Sequence, residues 1–141
     1  MNTNTLESPT NAAPAIQIPE GVDYDPVTGL MWTRDDLPGG RMQYAAFERA
    51  VADCRVGGFD DWSAPERGEL ETILKLTTFD PCVDRERFPT CKSAAYWSRT
   101  ECAFDKAYVW VVNFNNGYVF DYHRGYGGAF GRAVRRVSSS Q

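Results

Sequence analysis

An α+β domain is predicted by a change of hydrophobic period along the chain and by two strong turn signals. Phe47, Ala50, Val51 and Cys54, and later Leu70, Ile73 and Leu74, recur at helical spacing. From Tyr96 onward the period becomes two, with Tyr108, Trp110, Val112 and Phe114 alternating with Ala107, Val109, Val111 and Asn113. Chain reversals are signalled by Asp25-Pro26-Val27-Thr28-Gly29 and by Asn116-Gly117. At 141 residues, 43% of them hydrophobic and with a net charge of -4, the chain can bury one core without metals or a disulfide lattice. No stretch approaches the roughly 18 apolar residues of a membrane span.

Residues 1–19 are rich in Asn, Thr, Ser, Pro and Ala, a composition that buries too little apolar area to offset its ordering entropy, so a flexible arm is expected there. Residues 20–138 form the domain, and 139–141 a disordered end. Tyr24 to Trp32 reads as a hairpin, since Asp starts turns, Pro presets φ and Gly supplies positive φ. Met42 to Cys54 is the first helix, stopped by Gly57-Gly58. A second helix is expected from Ala64 to Leu76, capped by Ser63 with Glu66 three residues on. Thr77 to Ala95 is a long connection of the kind that is often functional. The strand around Tyr108 to Phe114 is apolar on both faces and should be central. Tyr118, Phe120 and Tyr122 return on one face of the next strand. Gly125 to Gly131 is a glycine-rich loop, and Ala133 to Val137 closes the sheet.

Charge and cysteines bound the chemistry. Residues 1–105 carry 10 basic and 18 acidic side chains, whereas 106–141 carry 5 and 1, so the C-terminal end is basic on an acidic body. That body excludes general nucleic-acid binding, while a small basic patch could meet an acidic partner. Solvated arginines near a terminus are the plainer reading. Cys54 falls on the apolar face of the first helix as a free buried thiol; Cys82 and Cys91 flank a two-proline loop and are close enough for a bridge in an oxidising compartment. With no CxxC pair and His123 the only histidine, no metal and no cofactor is expected. The glycine-rich loop lacks both Walker A and dinucleotide patterns. His123 has no nucleophile tied to it, and Asp60 and Asp61 read as turn or capping residues.

The tryptophan-bearing phrases resemble a known family. Asp25-x-x-Thr28-Gly29-Leu30-Met31-Trp32, Cys54-x-x-Gly57-Gly58-x-x-Asp61-Trp62-x-x-Pro65, Tyr96-Trp97-Ser98-x-Thr100, Val111-Val112-Asn113-Phe114 and Val134-Arg135-Arg136-Val137 are similar, in that order, to the C-terminal domain family of bacterial collagen-like adhesins. The resemblance implies a C-type-lectin-like fold related to the formylglycine-generating enzymes, with two helices packed on a small, twisted, mostly antiparallel sheet and long loops. It also implies adhesin-type binding of sulphated glycans, although an acidic body would repel a polyanion. Ser63-Ala64-Pro65 stands where the family has Arg-Leu-Pro. The calcium signatures of sugar-binding lectins are absent.

The expectation is a non-catalytic module that recognises a protein partner through Tyr118, Tyr122, His123, Arg124, Tyr126, Phe130 and Arg132, because tyrosine and glycine suit adaptable recognition surfaces. A role as a phage or mobile-element inhibitor or particle component fits this reading, as does a cytoplasmic location, because residues 1–19 lack the basic and apolar regions of a secretory signal. Two alternatives stand beside it: glycan binding with tyrosines as stacking platforms, and an oxidase akin to the formylglycine-generating enzymes.

Overall fold

The computed structural model describes residues 17–137; the arm expected over 1–19, apart from 17–19, and the end expected over 139–141 lie outside the described residues. Strand β1 (Val22–Asp25) pairs antiparallel with β2 (Leu30–Thr33), from Val22 opposite Thr33 to Asp25 opposite Leu30. Asp25 closes the turn twice: its carbonyl accepts the Gly29 N–H at 2.8 Å and its carboxylate the Val27 N–H at 2.9 Å. Helix α1 (Tyr44–Ala52) follows and buries Tyr44, Phe47 and Val51.

Helix α2 is shorter than the expected Ala64–Leu76: it runs only from Arg67 to Glu71. Ser63 does not cap it, because both its backbone groups pair with Val134 in sheet fashion, at 2.7 and 2.9 Å. Glu66 takes the capping position instead, its N–H donating to the Glu69 carboxylate at 2.8 Å, and the Arg67 N–H is satisfied by the Thr100 hydroxyl at 2.8 Å. At the other end the Thr72 hydroxyl bonds back to the Glu69 carbonyl at 2.6 Å, a competitor of helix propagation. Leu74 then leaves the helix to bridge Val83.

Strands β3 (Ala95–Cys102), β4 (Asp105–Asn113) and β5 (Val119–His123) form an antiparallel sheet with β4 in the centre, as the two-sided apolar pattern predicted. One face of this sheet carries Trp97, Val109 and Val111 against α1, the other Tyr96, Val112 and Phe114 with Trp32, Leu70 and Phe88. The Asn116-Gly117 turn is not a two-residue hairpin. Phe114 stays in the core and its carbonyl accepts the Cys82 N–H at 2.7 Å, so the connection spans residues 114–118 and closes with the Gly117 N–H on the Asn113 carbonyl, Gly117 at φ +84°.

Strand β6 (Val134–Arg136) pairs with β2, so the observed architecture has two three-stranded antiparallel sheets, β1-β2-β6 and β3-β4-β5, with two helices. The segment before β6 stitches them: Phe130 exchanges hydrogen bonds with Trp97 and Ala95 of β3, at 3.0 and 2.9 Å, just before the chain enters β6. The tryptophans are largely scaffold. Trp32 and Trp97 are fully buried, Trp62 nearly so, and the Trp97 and Trp62 indoles donate to the Met42 and Val56 carbonyls at 2.9 and 3.0 Å. The Trp32 indole N–H is buried without a partner. All four cysteines are free and buried, so the bridge between Cys82 and Cys91 is not present.

Candidate functional site

The glycine-rich loop is a shaped surface rather than a loose one. It is pinned at both ends: the Tyr126 N–H donates to the His123 carbonyl at 2.9 Å, and Ala129 accepts the Met42 N–H at 2.9 Å. Between them the Tyr126 ring folds back over the backbone of Gly128, where a Cβ would stand 2.3 Å from the ring. Only glycine permits that approach. Tyr126 is thereby held edge-on to Tyr122 at 4.6 Å between centroids, and Tyr122 to Phe120 at 5.0 Å, a three-ring ladder in the T-shaped geometry aromatic pairs prefer. Tyr126 is still 53% exposed. Arg41 lies alongside, donating to the Gly128 carbonyl at 3.1 Å and sitting 4.9 Å over the Phe130 ring.

Phe130 and Arg132 are corrections to the expected contact set, being only 9% and 1% exposed. Arg132 is sandwiched between the rings of Phe88 and Tyr96, at 4.7 and 5.4 Å, and donates to the Thr33 and Arg34 carbonyls and to the Asp36 carboxylate. Tyr96 donates its hydroxyl to the same Asp36 oxygen at 2.6 Å and accepts the Lys92 N–H at 2.8 Å. Burial raises the Tyr96 phenol far above its ordinary pKa, so it stays a hydrogen-bond donor. This is a satisfied buried network, which makes Arg132 the anchor beneath the loop.

The remaining expected residues divide among separate places. Arg124 reaches the Glu101 carboxylate at 2.7 Å and the Lys106 carbonyl at 2.8 Å while lying over Tyr44, so its charge is engaged. His123 faces the other side of β5 against Tyr108, its Nδ1 accepting the Gly125 N–H at 2.9 Å. Tyr118 stands at the opposite end of β5, about 13 Å of strand from Tyr122. There it joins Leu76 and Phe79, the three between 70% and 79% exposed. The two loops that carry them are tied together: the Asp80 N–H donates to the Asn115 carbonyl at 2.9 Å, and the Ser93 hydroxyl links Asp80 and Asn115 at 2.5 and 2.9 Å. Contact between Leu76 and the Gly117 turn is close enough that a Cβ there would lie 2.9 Å from Leu76.

Arg41, Leu76 and Phe79 were not foreseen as site residues. Arg41 has no local signal, since a bridge between Met42 and Ala129 brings it to the loop from far away in sequence. Leu76 and Phe79 had one: large apolar residues in a stretch whose helical period has ended. Asp61, read as a turn residue, is instead the bidentate partner of Arg135, at 2.6 and 3.0 Å, and that guanidinium holds its carboxyl below the usual range.

For nucleophilic chemistry the four thiols are poorly placed, because burial raises the pKa of Cys54, Cys82, Cys91 and Cys102 and keeps them protonated. Among the described residues no three His, Cys, Asp or Glu side chains gather as a metal site, and no helix is long and apolar enough to cross a membrane.

Compared with known proteins, residues 21–135 match the model of the Lcl C-terminal domain family, which spans both sheets and both helices up to Arg135. No curated protein matches the chain at a significant level. The match agrees with the resemblance carried by the tryptophan phrases and covers nearly all of the domain read from residues 20–138. The chain belongs to the Lcl C-terminal domain family.

Proposed function

We propose that this domain is a non-catalytic, adhesin-type binding module whose partner is a protein, gripped by the face that carries Tyr118, Phe120, Tyr122, Tyr126 and Arg41. The observation that carries the reading is the Phe120–Tyr122–Tyr126 ladder, fixed against Gly128 yet half open to solvent at Tyr126. Tyrosine and arginine dominate the energetics of protein interfaces, and rings already immobilised lose little entropy when a partner arrives. The protonated, buried thiols support the absence of catalysis. They are also unbridged, which favours a reducing compartment such as the cytoplasm.

Glycan recognition is the second reading, favoured by the same exposed Tyr126 ring as a stacking platform. Immobilised chain is incubated with bacterial lysate and, in parallel, with a glycan array, beside a Tyr122→Ala/Tyr126→Ala double variant. A protein retained by the native chain and lost with the double variant supports the first reading. Array signal with the same dependence supports the second, and capture indifferent to both substitutions contradicts this surface.

A further inference from the structure

We propose that the partner is engaged as an extended peptide that adds a strand to the open edge of β5. The inference rests on the protein-partner reading of that face and specifies how the partner is held. Strand β5 is the end strand of its sheet, and its pairing with β4 runs without a register shift from Tyr108 opposite His123 to Val112 opposite Val119. Asn113 donates to the Tyr118 carbonyl and Arg124 to the Ala107 carbonyl. In an antiparallel ladder these pairs alternate, so Tyr118, Phe120, Tyr122 and Arg124 turn their peptide groups into the sheet and Val119, Asp121 and His123 turn theirs outward. The His123 carbonyl is taken by Tyr126, but among the described residues no hydrogen bond engages the outward N–H or C=O of Val119 and Asp121.

Two other strand edges are covered: Phe130 lies along β3, and Ser63 pairs with the far side of β6. The end strand of the other sheet, β1, is also open, but it lacks the row of aromatic rings that flanks β5. Strand β5 has no proline, lysine or bulge, the usual devices that discourage pairing.

The side chains around the edge define what fits. Asp121 makes no ion pair or hydrogen bond among the described residues, so the residue set against it on an added strand should be basic. On the other face Tyr118, Phe120, Tyr122 and Tyr126 offer rings to both of that residue's neighbours, which should be apolar. The occupant is an extended segment with an apolar–basic–apolar core, the mode in which main-chain bonds give affinity and alternate side chains give specificity.

Short random linear peptides are selected on the immobilised full chain, and one selected peptide is added to isotope-labelled protein while amide exchange is followed. The proposal expects selected sequences to carry the apolar–basic–apolar alternation, and exchange at Val119 and Asp121 to slow by about tenfold or more. Val119→Pro should weaken the peptide by about tenfold relative to Val119→Ala, which gives up the same core packing but keeps the amide, because the amide that proline removes donates to nothing in the fold. Asp121→Lys should convert the selected basic residue to an acidic one. Enrichment of no peptide, or of peptides that leave the Val119 and Asp121 amides fast, overturns strand addition while leaving the lysate result with the tyrosine variant to judge the binding surface itself. Protection of those amides that grows with chain concentration and no peptide assigns the edge to a second copy, and also overturns it.

Discussion

At the residue scale Arg132 places a guanidinium in the interior, clamped by two rings and holding Asp36 together with two backbone carbonyls of the β2 end. Removing it leaves the Asp36 carboxylate and those carbonyls short of donors in a site closed to water. Arg132→Ala should therefore lower unfolding free energy by about 3–5 kcal/mol in chemical denaturation, the cost of breaking a buried pair. Lysine should not restore it, since an ammonium cannot reproduce the planar fork or the ring sandwich. Tyr126→Ala should instead leave denaturation almost unchanged, because the ring is half exposed. The sequence marks Arg132 as basic and adjacent to a loop, which suggests a contact residue. Its partner Asp36 lies 96 positions earlier, and no local pattern encodes that distance.

At the element scale the glycine-rich loop and α2 show how tertiary pairing overrides a local motif. Ser63-Ala64-Pro65-Glu66 has the form of a capping box, yet sheet pairing with Val134 claims Ser63, and the acids Glu66 and Glu69 cap a helix that begins three residues later. The spacing of Leu70 and Ile73 was legible; the cap that Thr100 supplies from another strand was not. Thr100→Ala should cost about 0.5–2 kcal/mol, the range for losing a helix cap, readable as a lowered melting temperature. Gly128→Ala tests the loop. A methyl there collides with Tyr126, which must swing away from Tyr122. Partner capture should fall, and nearly native thermal stability would separate that loss from unfolding.

Across the whole molecule the division between an acidic body and a basic end is resolved by ion pairs that close the chain on itself. Arg124 meets Glu101, Arg132 meets Asp36, Arg135 meets Asp61 and Arg136 meets Glu69. What composition offered as a basic patch is thus largely fold-closing contact, so neither a free patch nor a row of solvated arginines describes it. Acid should undo part of this. The Asp61 carboxyl is lowered chiefly by Arg135, and Glu66 chiefly by the Thr100 hydroxyl and then Arg99. Both are deprotonated more easily folded than unfolded. Their contribution is full above the ordinary values of 3.8 and 4.5 and disappears as pH falls through the lower folded values. Urea midpoints measured from neutral pH downward should hold steady and then drop in that window. The domain family and the central strand were readable because they rest on local phrases and on period. The contact surface was only half readable, since Tyr122 and Tyr126 are near neighbours in sequence whereas Arg41 reaches it through the fold. That surface is the central claim, and quantitative mass spectrometry of lysate proteins retained by the native chain and by the Tyr122→Ala/Tyr126→Ala variant tests it most directly. The account predicts at least about a tenfold loss of a specific protein from a variant that still unfolds cooperatively; equal retention by a folded variant would contradict it.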